Sequence, residues 1–505
     1  MDNTVVTLLS IFLIIILILY KYLTKNNGYW KSRGIPEANG AIPIFGNMKD
    51  IVFMKKNIGD FIEKIYKENK NNSMVGIYEF QKPVIIVNNI ELIKTVLQSS
   101  FNNFSEHQNL DPKVDPLLVN DPFFLNHQEW KDTRSIFTNA YSIKKLKDLL
   151  PLVNDVSKKF IDYMNKKIKS SNDNSIDIEV KQLFSKYTAA TSASTILGID
   201  AQTFVDKDSP NSLRSMMDAM FVPRSFEFRQ LIGFYFPKLG SLINVGFVPD
   251  WINKSFQNIV DDILSQDDKT LKNNILYLIK NQLEEKNKFN DITIAGIAFG
   301  FFVEVYESSS MTLSIMSYYL AKNKAIQEKA RKEINDIFKK HGELTYDALN
   351  DMTYIEQIIK ESLRCISPVG RLLKICSEPI TLKGPDGLTC KLNKGDEVII
   401  PVFGLHKDPQ YWDNPDEFIP ERFDQKNYDK ERNRYAFLPF GEGPRMCPGM
   451  KFGIMQIKVV IATILMNYVM EPSKKMKEPF ELDPRSFLTT IKNGYWIKMQ
   501  RRSLL

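Results

Sequence analysis

Cys447 stands in the run F-G-E-G-P-R-M-C-P-G, Phe440 to Gly449, and leads into a stretch that includes Met450, Phe452, Ile454, Ile457, Val459 and Val460. That apolar stretch predicts a helix, so the sulfur is expected at a helix N-terminus. There the free backbone N–H groups and the positive dipole end favour an anion and lower a thiol pKa. A thiolate presented from such a turn suits axial ligation of a haem iron, onto which it pushes electron density that favours O–O cleavage. The glycines let the turn fold tightly over the sulfur. Phe440 can cover one face of a macrocycle, and Arg445 can pair with a propionate. The other cysteines, Cys365, Cys376 and Cys390, make no C-x-x-C pair, so neither a zinc site nor a disulfide framework is suggested and a reducing compartment fits.

Phe440, Gly443, Arg445, Cys447 and Gly449 meet every fixed position of F-x-x-G-x-R-x-C-x-G, and in this the chain resembles the cytochrome P450 family. The order of further motifs agrees. In K-E-S-L-R, Glu361 and Arg364 lie three apart and so share one face of a predicted helix, and P-E-R-F follows at Pro420–Phe423. The resemblance implies that Glu361, Arg364 and Arg422 form a buried structural triad that locks the region carrying the cysteine loop. Trp130 and Arg134, one helical turn apart, resemble the family's W-x-x-x-R helix. They and Arg445 are implied to hold the propionates of haem b, with Cys447 as the axial ligand. His406-Lys407-Asp408-Pro409, with Trp412, Pro415 and Phe418, resembles the segment that precedes P-E-R-F, so the likeness spans nearly the whole chain.

The match weakens at F-F-V-E-V-Y-E-S-S-S-M-T-L, Phe301 to Leu313, where the family's central helix usually carries A-G-x-D/E-T-T. Aligned on the acid, Glu307 and Ser308 take the places of the acid and alcohol that relay protons to bound dioxygen. Serine keeps the hydroxyl but loses the β-branch that fixes its rotamer. Val305 replaces the glycine that permits a local opening of the helix, and Glu304 replaces a small residue. The fatty-acid hydroxylase branch also has a glutamate there, which can become ester-linked to a haem methyl, but that branch keeps the glycine.

From Asn3 to Tyr20 there are eighteen consecutive uncharged residues, which at about 1.5 Å per residue nearly span a ~30 Å hydrocarbon layer. Lys21, Tyr22 and Leu23 offer no small-residue cleavage site, so an uncleaved signal anchor is expected rather than a removed signal peptide. Lys21, Lys25, Lys31 and Arg33 follow the run while Asp2 precedes it, which places the body of the protein in the cytosol. The endoplasmic reticulum is the expected membrane. The expected partition is 1–24 anchor, 25–47 basic and Pro/Gly hinge with Pro36, Pro43, Gly46 and Asn47, and 48–505 haem-thiolate catalytic domain. The hydrophobic fraction of 43% suffices for a large core, and no repeat or long low-complexity tract divides it. A net charge of +7 is modest for 505 residues, and no Lys/Arg stripe interleaved with aromatics points to nucleic acid.

The fold class expected is mainly α with a minor β portion, the cytochrome P450 fold behind a single-pass anchor. Met74–Val87 and Ile380–Ile400 read as short strands. Ile90–Gln98, Ser157–Ile196, Asn273–Glu285, Ile292–Leu320, Ile326–Lys340 and Tyr354–Cys365 read as helices. Asn102–Gln128 reads as a long loop, which in a compact domain is usually functional; the resemblance implies that it covers substrate. Phe221–Val248, the helix near Glu304, Val369–Leu373 and Phe487–Ile491 are the other expected substrate contacts. The resemblance implies a membrane-anchored monooxygenase that takes electrons from an NADPH-dependent flavoprotein reductase and inserts one oxygen atom of dioxygen into an apolar small molecule. Lys144, Lys145 and Lys147 would form part of a basic face for that reductase. The atypical Glu304-Val305 pair keeps two alternatives open, a hydroperoxide isomerase or dehydratase of the same fold and a non-catalytic haem binder.

Overall fold

The computed structural model describes residues 3–171, 173–221, 227–266, 274–286, 290–426, 429, 433–486 and 488–502. Residues 222–226, Asn273 and Phe487, which fall in segments expected to contact substrate or form a helix, lie outside the described residues, as does Asp2. Among the described residues the chain is mainly helical, with nine strands. These are β1 (Met74–Glu79), β2 (Lys82–Val87), β3 (Ser175–Glu179), β4 (Leu372–Ile375), β5 (Ile380–Lys383), β6 (Thr389–Leu392), β7 (Glu397–Ile400), β8 (Tyr468–Pro472) and β9 (Trp496–Arg501). The helices that bear on function are α1 (Asn3–Leu23), α2 (His127–Ala140), α3 (Ile143–Lys169), α4 (Val180–Ser192), α5 (Leu213–Phe221), α6 (Asp291–Lys322), α7 (Thr353–Cys365) and α8 (Met450–Asn467). The chain forms two compact units.

The first unit comprises residues up to 106, 370–405 and 442–444. Its sheet has the order β1-β2-β7-β4, antiparallel except for the parallel β2/β7 pair, with Val75 opposite Ile86 and Ile85 opposite Val398. The last four residues of β2 are buried in succession, as a strand covered on both faces requires. β5 and β6 pair separately as a hairpin. The expected hinge is laid along β1 rather than left free. Gly76 N–H donates to Pro36 O at 2.8 Å, Ala38 N–H to Gly76 O at 2.9 Å, and Tyr78 N–H to the Asn47 side chain at 2.8 Å. Ahead of it Trp30 is buried, with its indole N–H on Ile77 O at 3.0 Å. α1 presents apolar side chains all round, Leu8 and Ile18 each 63% exposed. Its stretch Val5–Leu23 is long and apolar enough to cross a membrane.

The second unit comprises residues 107–369, 406–441 and 445–505. α6, 32 residues long, is buried along most of its length and packs against α4. Phe301 of α6 stacks on Phe137 of α2 at 3.6 Å between ring centroids, and Tyr141 stacks on Phe452 of α8 at 5.3 Å. α6 and α8 also have the length and composition of membrane spans, but most of each is packed inside this unit, as helices apolar all round are in a large core. A three-stranded antiparallel sheet, β3-β9-β8, lies within the unit. β3 corrects the expectation of continuous helix over Ser157–Ile196. The polar stretch after Lys169 ends α3, and S-I-D-I-E then alternates apolar and polar residues. Ile176 and Ile178 pair opposite Met499 and Ile497, partners that no local window of sequence contains.

Candidate functional site

The cysteine loop closes on itself through Cys447 N–H, which donates to Phe440 O at 2.8 Å. Gly443 has φ +79°, and a Cβ there would lie 2.0 Å from Leu97 O, so only glycine fits that position. Gly449 caps α8, and the backbone N–H groups of Gly449 and Met450 point at the Cys447 sulfur. The expected lowering of the thiol pKa does not follow from this. Burial, helped by the Glu304 carboxyl, pushes the thiol up to about 12 against those N–H groups and Arg134, because desolvation of an anion outweighs a partial dipole charge. The residue as a whole is half-buried, while its sulfur lies where desolvation dominates.

Trp130 and Arg134 both rise from α2, and Arg445 comes to them from the cysteine loop. The Arg445 guanidinium lies over the Trp130 ring at 4.5 Å and donates to Pro122 O at 3.1 Å and Leu125 O at 2.8 Å. Burial, with Arg134 beside it, brings Arg445 down to about 10, and burial lowers Arg134 too. Among the described residues neither arginine forms an ion pair, and the buried Arg445 Nε has no hydrogen-bond partner. Two neighbouring guanidinium groups with no carboxylate in ion-pair contact, Glu304 acting on Arg134 only from further off, are chemically matched to a bound dianion. A haem, with its two propionates, fits this set of donors beside an inward-facing thiol.

Glu361, Arg364 and Arg422 are brought together. Glu361 takes Arg364 in a two-pronged pair at 2.7 and 2.9 Å, Arg422 Nε at 3.2 Å and Ile419 N–H at 2.9 Å. The Glu361 and Arg364 side chains are fully buried. Arg364 also donates to the carbonyls of His406, Pro415 and Glu417 at 2.9, 2.8 and 3.0 Å. His406 passes the tie onward, its Nε2 accepting from Leu438 N–H at 2.9 Å just ahead of the cysteine loop. Burial and the nearby Arg364 charge bring its pKa down to about 3, which keeps that nitrogen an acceptor.

On α6 the neighbours Glu307 and Ser308 diverge. Glu307 Oε2 pairs with Lys181 Nζ of α4 at 2.8 Å, both side chains being largely covered. Ser308 Oγ turns back to Glu304 O at 2.6 Å. The structure therefore does not bring the acid and the alcohol together. Glu304, one turn before Ser308 and on its face, meets the Asp121 carboxyl instead. Burial and then that neighbour push Glu304 well above the usual carboxylate range, and burial raises Asp121 as well. Val305 is buried in the place of the expected glycine. Sequence reasoning missed Lys181 and Asp121; each sits in an unremarkable local pattern and gains meaning only through a partner far along the chain. Of the expected substrate contacts, Thr489 is fixed on Pro368 O by its N–H at 3.1 Å and its hydroxyl at 3.0 Å.

The profile of the cytochrome P450 family matches residues 36–498. The chain is 31% identical over 506 residues to Cytochrome P450 6j1 of Blattella germanica, covering 99% of this chain and 98% of that protein. It is 31% identical over 513 residues to Probable cytochrome P450 28d1 of Drosophila melanogaster, covering 98% and 99%. To Cytochrome P450 6B7 of Helicoverpa armigera it is 30% identical over 508 residues, covering 97% and 98%.

Proposed function

The chain belongs to the cytochrome P450 family and is a eukaryotic monooxygenase, and on that premise we propose that Cys447 is the thiolate ligand of haem b in a membrane-anchored enzyme that oxygenates an apolar small molecule. A haem-thiolate cofactor, a small-molecule substrate and a redox partner follow from the family. The finer reading names the partner as an NADPH-dependent flavoprotein reductase and the membrane as the endoplasmic reticulum, with the catalytic domain in the cytosol. When bound, haem supplies the iron at which dioxygen is split, one atom going to substrate and the other to water.

The observation that carries this reading is the pair of half-buried guanidinium groups without an ion-pair partner, Arg134 and Arg445, near Cys447. Arg134, Arg445 and the Trp130 indole would hold the propionates, and Phe440 would cover the ring on the cysteine side. Gly443 and Gly449 let the loop close, while Glu361, Arg364 and Arg422 brace the segment that leads to it. Ser308 Oγ would hold the last proton donated to the oxygen side. Glu307 reaches it only after leaving Lys181 Nζ, so that ion pair gates the supply. The partition into 1–24 anchor, 25–47 hinge and 48–505 catalytic domain belongs to the same proposal, with α1 as the anchor. Lys144 is exposed on α3, which supports a basic face for the reductase, although Lys147 is partly neutralised by Asp347 at 3.7 Å. The isomerase and non-catalytic readings are not favoured by the family match.

The test is the carbonyl spectrum of the reduced protein. The wild type is expected to give the red-shifted Soret band of thiolate-ligated haem, and Cys447→His to give an imidazole-type band with no turnover of substrate. An imidazole-type band from intact wild-type protein would end the proposal.

A further inference from the structure

Two stretches expected to cover substrate, Asn102–Gln128 and Phe221–Val248, are joined in the second unit by a group that plays no part in the site above. Asp115 is 2% exposed. Its Oδ2 accepts from Phe247 N–H at 2.8 Å and its Oδ1 from Val248 N–H at 2.7 Å. The backbones meet beside it, since a Cβ on Gly246 would lie 2.2 Å from Val114 O, so only a residue without a side chain allows the approach. Two further bonds continue the seam outward, from the Ser241 hydroxyl to the Asp111 carboxylate and from the Gln108 amide to Phe234 O.

A buried carboxylate is an expensive way to hold two segments together. Apolar packing of the same volume is often as stable or more so. What a carboxylate with both oxygens on another segment's N–H groups provides is directionality: the two stretches have one allowed register, and they separate only when both charge-assisted bonds break. We propose that Asp115 is a positioning residue that clamps the 107–126 stretch to the 234–248 stretch as one substrate cover, and so sets how fast a bulky ligand enters and leaves the haem site. This rests on the haem-thiolate reading above, and on those two stretches facing substrate.

The full-length haem protein is loaded with imidazole or with the bulky azole clotrimazole, and release is followed by the haem absorption after mixing with carbon monoxide and reductant. In Asp115→Ala clotrimazole is expected to leave faster by about tenfold or more, the effect of losing two hydrogen bonds to a charged group, while imidazole release and the carbonyl spectrum stay as in wild type. Asp115→Asn, which keeps one acceptor oxygen, is expected to fall between the two. Unchanged clotrimazole release overturns the proposal, as does a proportional rise for both azoles, which marks general loosening. Hydrogen exchange at Phe247 and Val248 decides the case even where a variant does not fold or no azole binds. Slow exchange in wild type sustains the clamp, and exchange at the rate of an exposed loop removes it. Failure of wild type to bind either azole counts against the haem reading and leaves this exchange result to judge the clamp.

Discussion

On the cysteine side of the second unit, one carboxylate, Glu361, receives four donor contacts from Arg364, Arg422 and Ile419 N–H. On α6, Glu307 meets Lys181, and the Ser308 hydroxyl turns back on its own helix. The first arrangement fixes a backbone: beyond Glu361, Arg364 donates to the carbonyls of His406, Pro415 and Glu417 in the segment leading to the cysteine loop. The second fixes only side chains, and each can be traded without moving the helix. The cysteine side carries every expected motif residue, while Glu304, Val305 and Ser308 stand where the usual pattern has other residues.

If that contrast holds, variants on the two sides should fail in different ways. Glu361→Gln leaves two arginines buried without a counter-charge. It is expected to cost about 3–5 kcal/mol, read as a lower denaturation midpoint together with loss of haem. Retention of haem and midpoint would erase the distinction. On the other side, Glu307→Gln is expected to keep the carbonyl spectrum, with some loss of stability from the largely covered Lys181 charge it leaves unpaired, while product formation falls about a hundredfold, a usual magnitude for a lost proton-transfer group. Reductant consumption diverted to peroxide is the accompanying sign, and Ser308→Ala should show the same behaviour to a smaller degree.

A subtler effect comes from Glu356 of α7, which meets Lys458 of α8 at 2.9 Å. Burial alone would raise its pKa, but Lys458 and Lys360 carry it down to about 2. Its folded value is thus below the unfolded one, so its contribution to stability is complete above the unfolded value of about 4.3 and is lost as pH falls from there toward 2. Glu356→Gln is expected to lower stability at neutral pH, where the ionised carboxylate contributes in full, and to flatten the acid limb of a stability-against-pH curve, so that variant and wild type converge toward pH 2. An identical acid limb would show that the lysines do not hold this carboxylate.

The cysteine loop and the three members of the buried triad were legible because each is written as residue types at short fixed spacing, and the glycines in Ile380–Ile400 mark three real strands. What stayed hidden depends on distant partners. β3 exists because β9 completes it, and Lys181 acquires its meaning from Glu307, 126 residues further on. Asp115 looks like an ordinary loop acid until Phe247 and Val248 arrive against it. The surroundings of the Cys447 thiol are hidden for another reason: the helix dipole can be inferred from sequence, but the desolvation around the sulfur cannot.

The indole of Trp30, held on Ile77 O, has a consequence for any bilayer that holds α1. Between Leu23 and that anchorage run only six residues, 24–29, and the Asn26 side chain is itself tied to Gln81 O at 2.8 Å. The leash is therefore almost fully taken up before the sheet begins. With α1 held in a bilayer, the first unit could rock against the lipid surface but could not drift away from it.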